Sequence, residues 1–230
     1  MHIPDGFLDP KMSSGLLGAA AAILGYCLAK VMRAVTAVVP QRVLAAVGNS
    51  LGNVSMAGRR VLTKVGEEKL LQMGTVASII FAVQMFNFPV NSGTSGHLVG
   101  GVFAAVLLGP FAGAVVLSVV LVVQSLFFVD GGLMALGANI INMAVIGSFG
   151  SYYIYVGLKI QFNEAICVAI AAWFSVILAA FACAVEIGLS GTIGLRDVFA
   201  AMVKVHAVIG IAEAAITVFL IRVFRPGEPS

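Results

Sequence analysis

His97-Leu98-Val99-Gly100-Gly101-Val102-Phe103-Ala104-Ala105-Val106-Leu107-Leu108-Gly109-Pro110-Phe111, continuing apolar to Phe128, is the stretch on which the fold turns. Read as one kinked helix, it gives a chain of six membrane spans. Read as a short helix at 97–109 followed by a longer one at 111–128, it gives seven. Proline has no amide donor and disfavours helix at its predecessor, so Gly109-Pro110 divides the two pieces. At about 1.5 Å per residue the first piece is too short to cross a bilayer alone, and it reads as tilted, sunken or re-entrant. Outward from this stretch, apolar runs mark further spans at 13–38, 71–90, 133–158, 163–189 and 198–223.

Charge placement separates the two counts, because cytoplasmic loops carry the excess Lys and Arg. Seven spans with the N-terminus outside put Lys30, Arg33, Arg42, Arg59, Arg60, Lys64, Lys69, Lys159, Arg222 and Arg225 inside. Only Lys11 and Arg196 remain outside, and Lys204 falls within the last span. Six spans from the same start would push Lys159, Arg222 and Arg225 outside. The expectation is an all-α integral membrane protein with about seven transmembrane helices, N-terminus outside and C-terminus cytoplasmic. The chain reads as a single transmembrane domain over 1–230, with 40–70 a cytoplasmic loop or interfacial segment.

Composition agrees. Of 230 residues, 60% are hydrophobic and 10% charged, where a soluble domain is about one quarter charged. There is no G-x-x-x-x-G-K-[ST] loop, which excludes ATP binding by that route. Cys27, Cys167 and Cys183 lie in apolar runs without metal-ligand spacing and read as buried thiols. Small residues recur every four positions, at Gly96, Gly100 and Ala104 and again at Gly101, Ala105 and Gly109. Such faces let helices approach closely, which puts the short third helix in the middle of the bundle.

The chemistry-bearing residues are few. Met1-His2 offers an amine, an amide nitrogen and an imidazole in covalent order, which can close a five- and then a six-membered chelate ring around one ion. Ni(II), Cu(II) and, less readily, Co(II) can drive loss of the amide proton and favour tetragonal nitrogen fields. A secretory signal would need a basic start, and here Asp5 and Asp9 precede the apolar run, so Met1 is expected to remain. A fourth nitrogen must come from His97 or His206. His97 follows a turn-rich loop, Asn87 to Gly96, on the same side as the N-terminus. His206 and Glu213, seven residues apart, share a helix face and read as an internal polar pair or network, or as a proton relay. Asn139, Asn142, Gln84 and Gln124 read as interhelical hydrogen bonders, and Asp130 as an ordinary turn residue.

Met1-His2-Ile3-Pro4-Asp5-Gly6-Phe7-Leu8 resembles the N-terminus of the CbiM/NikM family, substrate-binding (S) components of energy-coupling-factor (ECF) transporters for cobalt and nickel. Gln84-Met85-Phe86-Asn87-Phe88-Pro89-Val90 and Gly93-Thr94-Ser95-Gly96-His97-Leu98 are similar to a second signature of that family. Leu108-Gly109-Pro110, the run from Gly131 to Met143, and His206 to Ala214 extend the likeness over nearly the whole chain. The resemblance implies an N-terminus folded back into the bundle. It implies that the amine of Met1, the amide and imidazole of His2 and the imidazole of His97 hold the ion in a plane. Asn87, Thr94 and Ser95 are candidates for orienting His97. It also implies partners: an ECF transmembrane coupling subunit, two ATP-binding subunits and a small accessory membrane protein. The chain would then be no enzyme and carry no intrinsic cofactor, with Ni(II) or Co(II) as transported substrate, no nucleic acid, and the bilayer of the cytoplasmic membrane around it. The alternative is a proton-coupled secondary metal transporter using His206 and Glu213.

Overall fold

The computed structural model describes residues 1–39, 59–90 and 95–225. Among these, seven helices follow one another: α1 Pro10–Val35, α2 Lys64–Gln84, α3 Gly101–Leu108, α4 Pro110–Phe127, α5 Leu136–Leu158, α6 Glu164–Leu189 and α7 Leu195–Phe224. Two small ladders join them. β1 (Thr36–Val39) pairs antiparallel with β2 (Arg59–Leu62), and β3 (Phe88–Pro89) pairs antiparallel with β4 (Ser95–Gly96).

Local sequence sets the helix ends. Asp9 caps α1 by accepting from the amides of Lys11 and Met12, with Pro10 at the first helical position. Thr63 caps α2 through the Gly66 amide, and Asn163 caps α6 through the Ile166 amide. Gly109 takes φ +85, which a side chain would resist, and Pro110 then opens α4. The division at Gly109-Pro110 is therefore real.

Among the described residues, five helices are long and apolar enough to cross a membrane: α1, α4, α5, α6 and α7. The other two fall short for separate reasons. α2 starts earlier than the apolar run from 71, at Lys64, and carries Glu67 in its first turn. α3 has eight residues, and His97 to Gly100 before it are not helical. The small-residue repeat therefore begins at Gly101; Gly96 belongs to β4 and Gly100 takes a left-handed conformation. Part of the expected loop at 40–70 is also regular, since β2 and the start of α2 lie within it; residues 40–58 fall outside the described ones.

α3 is central. Val102, Phe103, Ala104 and Ala105 are all buried, so it meets protein on every side. A Cβ on Gly101 would lie 2.3 Å from the carbonyl oxygen of Gly147, so backbone meets backbone there. That oxygen sits in the middle stretch of α5, Ile140–Gly150, which is π-helical. A π segment widens the ladder and commonly accompanies functional sites. α6 and α7 pack along their length. Trp173 seals that seam, its indole N–H donating to Ala207 O at 3.0 Å over Gly210. The three cysteines are free and buried.

Candidate metal centre

Residues 1–9 do not trail away; they run into the bundle and are fastened along their length. The amine of Met1 donates to the backbone oxygen of Ser95. Ile3 N–H donates to Asn139 Oδ1 at 2.8 Å, while Asn139 Nδ2 and the Gly132 amide donate back to Ile3 O at 3.2 and 2.9 Å. Asp5 accepts from the amides of Leu133 and Met134 at 3.2 and 2.8 Å. Thr192 Oγ1 donates to Phe7 O at 2.7 Å. A side-chain amide that pairs with both backbone groups of one residue fixes register regardless of side chain. Asn139 therefore determines which residue stands at each position before Ile3. Gly132 is glycine by necessity, since a Cβ there would come within 2.2 Å of Asp5 Oδ1.

The result is that Met1, His2 and His97 are drawn together and closed off: 0%, 2% and 0% exposed. The rings of His2 and His97 are tilted by 43° with centroids 4.3 Å apart. His97 Nδ1 faces the Gln84 carbonyl at 2.9 Å, which as donor leaves the Nε2 lone pair aimed at the pocket, where Ser95 Oγ lies 2.7 Å away. His2 Nδ1 is 2.8 Å from Asp130 Oδ1, and the same oxygen is 3.5 Å from His97 Nε2. Among the described residues, His2, His97 and Asp130 offer ligand atoms all within 4.8 Å of one another.

Burial tunes these groups. It pulls the Met1 amine down to about 5, so the nitrogen is neutral with a free lone pair at pH 7. Burial also lowers His2, against the pull of Asp130. For Asp130, burial acts upward, but the hydrogen bond and charge of His2, then the charges of His97 and the amine, hold its carboxyl below the usual value. Among the described residues, Asp130 is thus the one carboxylate set beside the pocket's nitrogen donors.

The remaining expected residues fare differently. Ser95 contributes both its carbonyl and its hydroxyl. Asn87 is exposed beyond the end of α2, away from the His97 ring, which Gln84 and Ser95 hold. Thr94 lies outside the described residues. His206 and Glu213 are not a hydrogen-bonded pair. His206 Nδ1 turns to Met202 O in its own helix at 2.7 Å, and Glu213 accepts from the amides of Val99 and Gly100. Seven residues of helix rise about 10 Å, so a shared face does not bring the two side chains into contact.

Asp130 is the residue sequence reading passed over. It lies between Val129, at φ 55, and Gly131, at φ +91. A β-branched residue in the left-handed region costs on the order of 1–3 kcal/mol and survives only where the surroundings impose it, as around functional sites. The Gly131-Gly132 pair was the available signal.

Fold and pocket together define a class: a multi-pass, all-α membrane protein with a buried cluster of nitrogen donors and one carboxylate built on its own N-terminus. The chain belongs to the CbiM family, the cobalt uptake substrate-specific transmembrane region, whose model matches residues 2–230. It is 35% identical over 231 residues to a protein named as a fused nickel transport protein, NikMN, of Archaeoglobus fulgidus, covering 100% of this chain and 67% of that one. It is 29% identical over 168 residues to a cobalt transport protein, CbiM, of Geobacter sulfurreducens, covering 68% of this chain and 48% of that one. A crystal structure of a truncated transition metal transporter superposes with TM-score 0.78 at 29% identity, covering 97% of this chain and 98% of that one. This chain therefore spans about half to two thirds of the length of these two sequence relatives.

Proposed function

We propose that this chain captures Ni(II) or Co(II) with high affinity from outside the cytoplasmic membrane, as the S-component of an ECF-type ABC transporter. The observation that carries the reading is the convergence of the Met1 amine, the His2 ring and the His97 ring in one closed pocket. The Met1 amine, the His2 amide nitrogen, His2 Nδ1 and His97 Nε2 make the four-nitrogen plane. Such a plane suits Ni(II), accommodates low-spin Co(II), and is poor for Zn(II), which takes a tetrahedron.

Protons and charge balance within this scheme. The amine enters neutral. The amide gives up its proton to water, and the Nδ1 proton of His2 passes to its Nε2, which has no hydrogen-bond partner among the described residues, so the bound ion and amide carry one net positive charge. Loading takes Nδ1 of His2 away from Asp130, leaving the carboxylate beside the ion, where it cancels that charge without being a ligand. The pocket end of the bundle carries Lys11 and Arg196, whereas the opposite end carries Lys30, Arg33, Lys64, Lys69, Lys159, Arg222 and Arg225. This asymmetry supports a pocket facing outside. A coupling subunit and two ATP-binding subunits would drive inward release, aided by a small accessory membrane protein.

Purified chain titrated with Ni(II) tests the plane directly, because low-spin planar Ni(II) is diamagnetic and tetrahedral or octahedral Ni(II) is paramagnetic. A tight diamagnetic complex, lost in His97→Ala, is the expected result; a paramagnetic complex that His97→Ala leaves unchanged contradicts it.

A further inference from the structure

Between His97 and Gly109 the chain is part helix and part irregular backbone. Non-helical backbone at membrane depth survives only where protein groups take its N–H and C=O. Here the partners are side chains of two other helices. Glu213 of α7, 2% exposed, accepts from Val99 N–H at 2.9 Å and Gly100 N–H at 2.7 Å. Gln84 of α2 donates Nε2 to Val99 O at 2.8 Å.

α3 has no cap of its own, since Gly100 stands at its N-terminus with φ +72. Glu213 supplies the missing acceptors at the positive end of the helix dipole. At the other end Arg225, the C-cap of α7, donates Nη2 to Val106 O at 2.7 Å, in the last turn of α3. α7 and its cap therefore grip both ends of α3. It also presses on Gly96, where a Cβ would meet Ile209 Cδ1 at 2.5 Å. His97 sits within the gripped stretch.

The other half of the pocket is fastened elsewhere. Met1 reaches Ser95, but His2, Ile3 and Asp5 are tied to Asp130 and to Gly132 through Met134, on the turn between α4 and α5, and to Asn139 in the first turn of α5. The two imidazoles are thus carried by different bodies.

We propose that Glu213 is the positioning residue that holds His97 in the pocket, and that α3 and α7 move as one body, so that a tilt of α7 withdraws His97 from the N-terminal nitrogens. This makes α7 the lever of inward release. The inference rests on reading His97 as a metal contact, yet its structural core concerns the metal-free protein and can be read without metal.

The chain has three histidines, so ring nitrogens of the full-length, ¹⁵N-histidine-labelled protein in detergent can be followed individually. Glu213→Gln keeps shape but sets an NH2 donor against backbone N–H groups. The expected result is a shift of the His97 ring signals with faster solvent exchange of its Nδ1 proton, while His2 signals hold. Nickel affinity of the same variant should fall about tenfold to hundredfold, the usual effect of losing an outer-shell partner. His97 signals unchanged in a folded variant, or equal shifts at all three rings, overturn the proposal. If Glu213→Gln does not fold, Glu213→Asp, which keeps the carboxyl group and draws the oxygens back, is read by the same two criteria. Wild-type protein that binds no Ni(II) defeats the function proposed above but leaves the ring comparison standing.

Discussion

Replacing Asp130 by Asn removes the compensating charge and little else, because an amide oxygen can still accept from His2 Nδ1–H. Asp130 Oδ1 lies 2.8 Å from His2 Nδ1 and 3.5 Å from His97 Nε2, so an ion held between those nitrogens sits close to it. Two unit charges about 4 Å apart interact by about 4 kcal/mol at an effective dielectric constant of 20. The Asp130 side chain is 20% exposed, which weakens this by screening. Halving it leaves about 2 kcal/mol, or roughly a thirtyfold rise in Kd at 25 °C. Competition between the protein and a chelator of known Ni(II) affinity measures this, with circular dichroism to establish folding. A Kd within about threefold of wild type would refute the charge-balance reasoning, since that is under 1 kcal/mol.

Other substitutions separate pocket, fold and bystander. Gly132→Ala places a Cβ 2.2 Å from Asp5 Oδ1 and should abolish tight nickel binding while the helical spectrum persists. Asn139→Ala strips two hydrogen bonds from Ile3; at about 1 kcal/mol each, thermal unfolding should come earlier and amide exchange across 3–9 should rise. Gly101→Ala drives a methyl into Gly147 O, an overpacking that costs about 1–3 kcal/mol or more and should lower the melting temperature. His206→Ala should leave nickel affinity unchanged, because its ring bonds within its own helix at Met202 O.

The membrane class, the break at Gly109-Pro110 and the candidacy of Met1, His2 and His97 as ligands can be read from residue type alone, because hydropathy, proline chemistry and a terminal chelate are local properties. Asp130 could not be read that way. Its role arises only when residues 1–9 fold back over the α4–α5 turn, and the adjacent Gly131-Gly132 pair marks a turn without naming its partner. The partners of Glu213 are hidden for a related reason. Helical spacing relates it to His206, but unpaired amides at Val99 and Gly100, more than a hundred residues away, claim its carboxylate. α3 is shorter than its apolar run because Gly100 adopts positive φ, and hydropathy does not register backbone conformation. Asn87 is near His97 in sequence, but it is Gln84, one turn earlier, that turns its carbonyl to His97.

The proposed site requires a free amine two residues before Ile3. The most direct measurement is Ni(II) titration of the chain carrying one additional residue ahead of Met1, its start verified by intact mass, beside wild type. Moving the amine out of chelating reach should cost the tight complex outright, with residual binding weak and paramagnetic. A variant that still takes up one Ni(II) with wild-type affinity and the same diamagnetic spectrum would contradict the N-terminal site.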